Sequence, residues 1–367
     1  MTDPAPTRST AGGVRVAVDA MGGDYGASEV VPGAMLYARS HPDDRLILVG
    51  DQAVVAALAG PLPPNVSIVH ATQVIGMDEH PAMALREKRD SSILVATDLV
   101  KRGDADAVVT AGHTGAGMAA AVLRLGRLPG VDRPALAVQL ITDSGPMVLL
   151  DIGANPDSTA ENLAQFARMG AIFAERVMGI PRPRIALLSI GEERGKGDAR
   201  IQRATELLDA SDLRFEGNIE GKDLTKHRAD VVVCDAVLGN VVIKFFEGLS
   251  GFIFDLWRTE FTRGLRGRLG AVFMKPGIDR IRGVFDYEKV GGSILLGVRG
   301  TVIITHGRAR SRMIDFACDV AATTARTRVP ALIEEALATH AAAGQAAGAD
   351  AAAGGAADAA PAEGIAS

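Results

Sequence analysis

The segment SIGEERGKGD, residues 189–198, places a lysine between glycines directly after an apolar run. A nucleotide-binding P-loop needs four residues between its first glycine and its Gly-Lys pair, and then Ser or Thr to hold Mg²⁺. Here three residues separate Gly191 from Gly195, and a glycine follows Lys196 where the Mg²⁺-binding hydroxyl should stand, so ATP hydrolysis is disfavoured. The loop instead predicts a small-anion site in which Lys196, helped by Arg194, binds the anion and Glu192 or Glu193 acts as a base or an ion-pair partner. A solvated charged loop is the alternative interpretation.

A second glycine-rich loop, VDAMGGDYG, follows the first predicted strand. Gly22 and Gly23 permit the backbone to approach a ligand closely or to turn sharply, and Asp24 comes next. We expect these three residues to contact substrate, with a simple glycine-rich turn as the alternative.

A third loop, TAGHTGAG, surrounds His113 and Thr114 with glycines where a helix is predicted to begin. Free N–H groups and the helix dipole at such a position predict anion binding by His113, Thr114 and Gly115. The glycines follow the order G-x-x-G-x-G and not G-x-G-x-x-G, so the loop does not predict a dinucleotide site.

Polar side chains also follow three other predicted strands. Asp151 and Asn155 lie in LLDIGAN, Asp235 and Asn240 lie in VVVCDAVLGN, and His306 lies in VIITHG. Ligands of parallel sheets bind beyond the carboxyl ends of the strands, so we expect these groups to share one edge with the lysine loop. Helix capping after Asp151 is the structural alternative.

The sequence contains no H-E-x-x-H motif, no Cys/His cluster and no G-x-S-x-G elbow. It therefore predicts neither a metal site nor an acyl-serine mechanism. Cys234 and Cys318 lie in apolar runs and are expected to be buried thiols.

Residues 245–287 combine apolar residues at spacings of three or four with many arginines. This pattern is typical of a helix on an anionic membrane surface or of a docking surface for an acidic protein. A core or subunit-interface helix is the alternative. The residues expected at this surface are Trp257, Phe261, Leu265, Arg266 and Arg268.

The elements that must position these loops alternate between β-branched runs and helical patterns. Strands are predicted over residues 14–19, 45–50, 66–70, 106–110, 135–141, 147–151, 184–190, 230–235 and 301–305. Helices are predicted over residues 28–40, 91–102, 114–125, 159–178, 199–210 and 311–339. This alternation predicts an α/β fold whose mostly parallel sheet carries helices on both faces. We expect one domain over residues 14–338, with residues 245–287 as an amphipathic helical insertion.

The composition sets limits on function and location. The chain has 367 residues and a formal net charge of −5, which disfavours nucleic-acid binding. Without a signal-peptide pattern or a long uncharged apolar run, the chain is expected to be cytoplasmic. Residues 1–13 and the Ala/Gly-rich residues 339–367 are expected to be disordered tails.

Eight segments, in chain order from about Val14 to Ile333, together resemble the phosphate acyltransferase family of bacterial phospholipid synthesis, the PlsX family. They are VAVDAMGGD, DEHPAMALREKRDSS, TAGHTGA, DRPALA, LLDIGAN, GEERGKG, GNVVIKFFEG and VGGSILLG. The family usually has Asn where His113 stands and Gly where Ala236 stands.

The resemblance implies transfer of a fatty acyl group from acyl carrier protein to inorganic phosphate. The acyl phosphate would serve a membrane glycerol-3-phosphate acyltransferase. The resemblance also implies an isocitrate dehydrogenase-like fold, a homodimer, peripheral association with an anionic membrane, and no cofactor. Lys196 and Asn240 match family active-site positions and His306 lies in a matching segment, so these three are the expected catalytic residues.

Three other functions remain open at this stage. A phosphotransacetylase-like enzyme would use acyl-CoA as its donor. A nucleotide-linked dehydrogenase is disfavoured because the dinucleotide motif is absent. A non-catalytic membrane scaffold with the same fold is the third alternative.

Overall fold

Eleven β-strands join into one sheet in the computed structural model, which describes residues 13–264, 270–271, 273–277 and 287–339. Their order across the sheet is β3-β2-β1-β4-β11-β10-β5-β6-β9-β7-β8. The strands are β1 (Arg15–Asp19), β2 (Arg45–Gly50), β3 (Val66–His70), β4 (Ala107–Thr110), β5 (Ala135–Thr142), β6 (Gly145–Leu150), β7 (Ile185–Leu188), β8 (Phe215–Ile219), β9 (Val231–Val233), β10 (Ser293–Leu296) and β11 (Thr301–Ile304).

Helices cover both faces of this sheet, so the predicted α/β class is confirmed. One face carries α1 (Ala27–Ser40), α2 (Gln52–Ala59), α6 (Ala160–Arg176), α7 (Ala199–Asp209) and α9 (Ser311–Arg326). The other face carries α4 (Ser92–Arg102), α5 (Thr114–Arg124) and α8 (Ala236–Thr262), and the short α3 (Pro81–Glu87) packs beside α4 and α5. Residues 329–339 are also helical, and 3₁₀ turns occur at Gly221–Lys226 and Tyr287–Val290.

Some sequence predictions fall outside the described residues. These are the expected membrane or carrier contacts Leu265, Arg266 and Arg268, nearly all of both expected tails, and part of the 245–287 segment. Where that segment is described, its first helix starts earlier than expected, at Ala236.

Most neighbouring strands are parallel, as predicted, but the sheet reverses direction at its centre. Strand β10 is antiparallel to both β11 and β5, and β5 is antiparallel to β6. The carboxyl ends of β1, β4 and β11 therefore lie at one edge, which we call the His306 edge. Those of β6, β7 and β9 lie at the opposite edge, the Lys196 edge. The expectation that all the polar loops share one edge is wrong for this sheet.

Helix α8 connects the two edges across the face of the central strands. It begins at the Lys196 edge, where the Asp235 carboxylate accepts hydrogen bonds from the Val237 and Leu238 amides, each at 3.0 Å. Ile243 is buried against the sheet. Glu247 contacts the loop after β11 at the His306 edge. The eleven-residue step from Ala236 to Glu247 covers about 17 Å.

Gly239 lets α8 lie directly on the loop after β6. A Cβ at this position would come within 2.0 Å of the Asp151 carbonyl oxygen, a backbone atom that cannot move aside. The absence of a side chain at Gly239 is therefore a requirement for the docking of α8.

We predict that Gly239→Ala lowers the free energy of unfolding by about 1–3 kcal/mol or more, because the methyl group overpacks this contact. Gly248→Ala is the matched control in the same helix, since its Cβ would meet no atom within 4 Å. The control should be neutral or slightly stabilising because alanine favours the helix. Urea unfolding of both variants measures the difference, and equal midpoints would contradict this account of α8.

Candidate active site

Three loops meet at the His306 edge. The Asp24 amide donates a hydrogen bond to the Gly307 carbonyl at 2.7 Å, which joins the loop after β1 to the loop after β11. Gly23 has φ +93°, and a Cβ there would lie 2.9 Å from the same carbonyl oxygen. Gly22 packs as closely against Gly112, where a Cβ would come within 2.7 Å of the amide nitrogen. The expected substrate residues Gly22, Gly23 and Asp24 thus help to join these loops.

His113 caps the helix that starts at this edge. Its Nδ1 accepts a hydrogen bond from the Gly115 amide at 3.0 Å, so the proton of the neutral ring lies on Nε2. An Asn side chain can accept the same hydrogen bond, since Asn is a preferred cap residue. The departure of this sequence from the family at position 113 therefore preserves the cap. The Gly115, Ala116 and Gly117 amides are thus bound by His113 itself, and the positive end of the α5 dipole lies at this edge beside Thr114.

The His306 ring contacts the Glu247 carboxylate of α8. The ring Nε2 contacts Glu247 Oε1, and Arg308 donates to Glu247 Oε2 at 2.9 Å. The Glu247 side chain is only 10% exposed, and His306 is 34% exposed. Burial raises the pKa of the Glu247 carboxyl. The hydrogen bond from His306 and the charges of His306, Arg308 and Lys244 outweigh burial, so its pKa is lowered overall.

A cavity of about 460 Å³ lies between α8 and the face of β5, β10 and β11. Its volume is in the range of small-molecule binding sites. Most of its wall is apolar, and polar side chains cluster where it reaches the His306 edge. The lining includes Thr114, Leu136, Val138, Leu140, Ile152, Gly153, Ala236, Asn240, Ile243, Lys244, Phe246, Glu247, Ile304, Thr305 and His306.

The lysine loop lies at the opposite edge and is held by its own contacts. The Lys196 amide donates to the Glu193 carbonyl at 2.9 Å, and Gln202 Nε2 donates to the Gly195 carbonyl at 3.0 Å. The Lys196 side chain is exposed and does not line the cavity. Glu192 is exposed beside Arg228 and Lys222. Both residues therefore lie apart from His306 within one protomer.

Asp151 is a buried centre of hydrogen bonds at the Lys196 edge. Its Oδ1 accepts from the Leu136, Gly153 and Ala154 amides at 2.9–3.1 Å, and its Oδ2 accepts from both the amide and the side chain of Asn155 at 2.8 Å. Burial raises the pKa of Asp151, although these hydrogen bonds oppose the shift. Asp151 and Asn155 shape the loop that α8 contacts.

Asp235 combines two local contacts at the same edge. Besides capping α8, its Oδ2 accepts a hydrogen bond from Arg200 of α7 at 2.8 Å. This carboxylate therefore links the starts of two helices.

The structure brings three expected site residues together at the cavity, namely Thr114, Asn240 and His306. Sequence reasoning missed Glu247, although a signal was present. Glu247 follows Asn240 by seven residues, which is about two helical turns and places both on one face. Among the described residues, no group of three or more His, Cys, Asp or Glu side chains forms a potential metal site.

The expected surface segment is partly described. Trp257 and Phe261 are half-buried in the last turns of α8, and Trp257 packs edge-on against Phe254 with ring centroids 5.7 Å apart. By length and composition alone, α8 could cross a membrane. Its first turns are instead docked on the sheet.

Comparisons with known proteins cover nearly the whole described chain. A family model described as "Fatty acid synthesis protein" matches residues 14–332. A phosphate acyltransferase of Desulfitobacterium hafniense is 47% identical over 311 residues, covering 84% of this chain and 92% of the relative. A phosphate acyltransferase of Myxococcus xanthus is 44% identical over 335 residues, covering 90% and 95%.

The fold also resembles that of solved enzymes. A phosphotransacetylase from Streptococcus pyogenes matches with a TM-score of 0.58 at 18% identity, covering 85% of this chain and 94% of that one. At this identity the likeness shows a shared fold and nothing about the donor.

We predict that Glu247→Gln lowers the free energy of unfolding by about 1–3 kcal/mol near neutral pH, because it removes the charged partner of His306 and Arg308. A carboxyl whose pKa is lower in the folded protein stabilises it above the unfolded pKa, and this contribution is lost as pH falls through the folded pKa. The deficit should therefore shrink as pH is lowered below the ordinary glutamate value of 4.5.

Urea unfolding at a series of pH values measures this deficit. Glu260→Gln, at an exposed position of the same helix, is the control and should change the free energy of unfolding little. A deficit for Glu247→Gln that stays constant with pH would show that the carboxylate charge is not what stabilises the contact.

Proposed function

The chain belongs to the phosphate acyltransferase family, and on that premise we propose that it transfers a fatty acyl group from acyl carrier protein to inorganic phosphate. Acyl transfer to phosphate follows from the family. The carrier-protein donor and a role in phospholipid synthesis, with a membrane glycerol-3-phosphate acyltransferase consuming the acyl phosphate, are our proposal. The observation that supports it best is an apolar cavity that ends at the His306–Glu247 pair and the start of α5.

The proposed reaction is a direct displacement at the thioester carbonyl. A phosphate oxygen attacks the acyl carbon, an O–C bond forms, the C–S bond breaks, and the carrier thiol leaves as a thiolate that takes up a proton. A thioester is already activated, so holding phosphate in line supplies much of the rate enhancement without a covalent enzyme intermediate. His306, oriented by Glu247, is positioned to take a proton from phosphate and return it to the departing sulfur.

Phosphate binding at the His306 edge is supported by the start of α5, where Thr114 lines the cavity at the positive end of the helix dipole. A helix N-terminus attracts oxyanions without a metal. Asn240 lines the same cavity from α8, about 10 Å of helix before Glu247. The proposed phosphate position is surrounded by the backbone of Gly22, Gly23, Asp24 and Gly115. His113 caps α5 and so holds the start of this helix in place.

Lys196 and His306 lie at opposite edges, so we propose that they meet only in a homodimer. Helix α8 carries a row of exposed apolar side chains, namely Val237, Val241, Phe245, Phe252 and Leu256. A two-fold axis near Val241 would pair two copies of α8 antiparallel. The Lys196 edge of one protomer would then lie beside the His306 edge of its partner, with Glu192 and Asp235 near the same boundary.

The end of α8 is the proposed contact with membrane and carrier protein. Trp257 and Phe261 lie there, and the arginine-rich residues 263–282 follow them in the sequence. Apolar side chains with neighbouring arginines suit an anionic bilayer surface and an acidic carrier. This part of the proposal places the protein in the cytoplasm with peripheral membrane contact.

The proposed activity is tested by incubating the purified protein with palmitoyl carrier protein and phosphate. We expect acyl phosphate by mass spectrometry, with slower turnover when palmitoyl-CoA replaces the carrier. Equal or faster turnover with the CoA donor would favour a phosphotransacetylase-like enzyme. Thioester loss that does not depend on phosphate would contradict phosphate as the acceptor. Flotation of the same protein with anionic vesicles, compared with Trp257→Glu, tests the membrane contact.

The shared site is tested by mixing two inactive variants. We expect His306→Asn to lower kcat by roughly 10²–10⁴-fold and Lys196→Ala to weaken phosphate binding. After the two variants are mixed and allowed to exchange subunits, about a quarter of wild-type activity should return, because half of the dimers then hold one intact site of two. No recovery, despite mixed dimers detected by native mass spectrometry, would place Lys196 and His306 in separate roles.

A further inference from the structure

We propose that the cavity under α8 holds the acyl chain of the donor and that β5 sets the longest chain accepted. This inference rests on the proposed function, because it gives the acyl group a place next to His306. Neither the family match nor the relatives specify a chain length. The position of each side chain along β5 makes the inference specific.

Three apolar residues of β5 form a row along the cavity floor. Leu136, Val138 and Leu140 alternate with residues of the other face, so all three side chains point toward α8. Neighbours in this row are about 6.8 Å apart along the strand. The row runs along β5 from one edge of the sheet to the other, so each residue in it marks a different depth in the cavity.

The register of the sheet gives the direction of this row. Ser293 of β10 pairs with Ile304 of β11, and Ile294 pairs with Ala137 of β5. Val138 is thus level with Ile304, and Leu140 lies two residues further toward the His306 edge. A chain whose thioester lies at His306 would pass Leu140 first, Val138 next and Leu136 last.

The far end of the cavity is lined by residues at the Lys196 edge. The Ile152 amide donates to the Leu136 carbonyl at 3.0 Å, which holds Ile152 beside the last residue of the row. Ala236, the first residue of α8, is buried at the same end. The terminal methyl group of the longest accepted chain should lie near these two residues.

The side chains in the middle of the cavity favour hydrocarbon over a polar ligand. Leu136, Val138, Ile152 and Ile243 are all less than 10% exposed and have no hydrogen-bonding atoms in their side chains. A pantetheine arm would lose hydration of its amides there without replacement hydrogen bonds. An acyl chain instead gains from each methylene group removed from water.

The experiment replaces the residues of the row, one at a time, with phenylalanine, so that the larger side chain occupies part of the cavity. Leu140→Phe, Val138→Phe and Leu136→Phe are assayed with carrier-protein donors from octanoyl to stearoyl. We expect the longest efficient donor to become shorter in all three variants, most in Leu140→Phe and least in Leu136→Phe. Each methylene group excluded from the cavity should weaken donor binding roughly four-fold. Octanoyl transfer should change least.

Two further variants distinguish a specific change in chain-length preference from a general loss of folding. Leu123→Phe, at a 61% exposed position of α5 outside the cavity, should leave the chain-length profile unchanged. Leu136→Ala enlarges the far end and should raise stearoyl transfer relative to myristoyl transfer. Thermal melting identifies any phenylalanine variant that unfolds, and Leu136→Ala then still decides the proposal.

The outcomes separate this inference from the proposed function. Binding of free fatty acids of graded length, measured by displacement of fluorescent parinaric acid, needs no turnover. Length-dependent binding that shifts in the variants, without acyl phosphate formation by the wild type, would keep the cavity assignment and reject the enzyme function. Acyl phosphate formation with the same chain-length profile in all variants, Leu136→Ala included, would reject the cavity assignment alone.

Discussion

The docking of α8 across the centre of the sheet is the contact on which the candidate site depends. At one end, Gly239 lies on the Asp151 carbonyl, where no side chain fits. At the other end, Glu247 contacts His306 and Arg308. Because these two ends hold the helix over β5 and β10, an apolar space remains beneath it. A helix that moved by one turn would lose both the cavity and the partner of His306.

The carboxylates around α8 divide into two kinds. Asp151 and Asp235 accept hydrogen bonds from loop and helix amides. These hydrogen bonds stabilise the turn that supports α8. Glu247 instead pairs with an imidazole and a guanidinium at the cavity mouth. Carboxylates held by backbone amides and by neighbouring side chains serve structure, whereas a carboxylate paired with a partly exposed histidine suits proton transfer. The same residue type thus has different roles that depend on its neighbours.

The reversal of the sheet at its centre distributes the polar loops over two edges, which is why we propose a homodimer. Lys196 follows β7 and His306 follows β11, and these strands point in opposite directions. In the proposed homodimer, a shared site between two antiparallel copies of α8 would let Lys196 and His306 serve one reaction. The exposed apolar row of α8 is consistent with such a partner.

The sequence by itself determined the family, the α/β class, most strands and the residues that follow them, since these depend on local pattern and motif order. It also contained the reversal: only residues 143 and 144 separate the paired Thr142 and Gly145, too few for a parallel crossover. Only the tertiary structure decided that Glu247 meets His306 and that Gly239 meets Asp151. Contacts between residues about 60 to 90 positions apart depend on how whole elements pack, which local patterns do not encode.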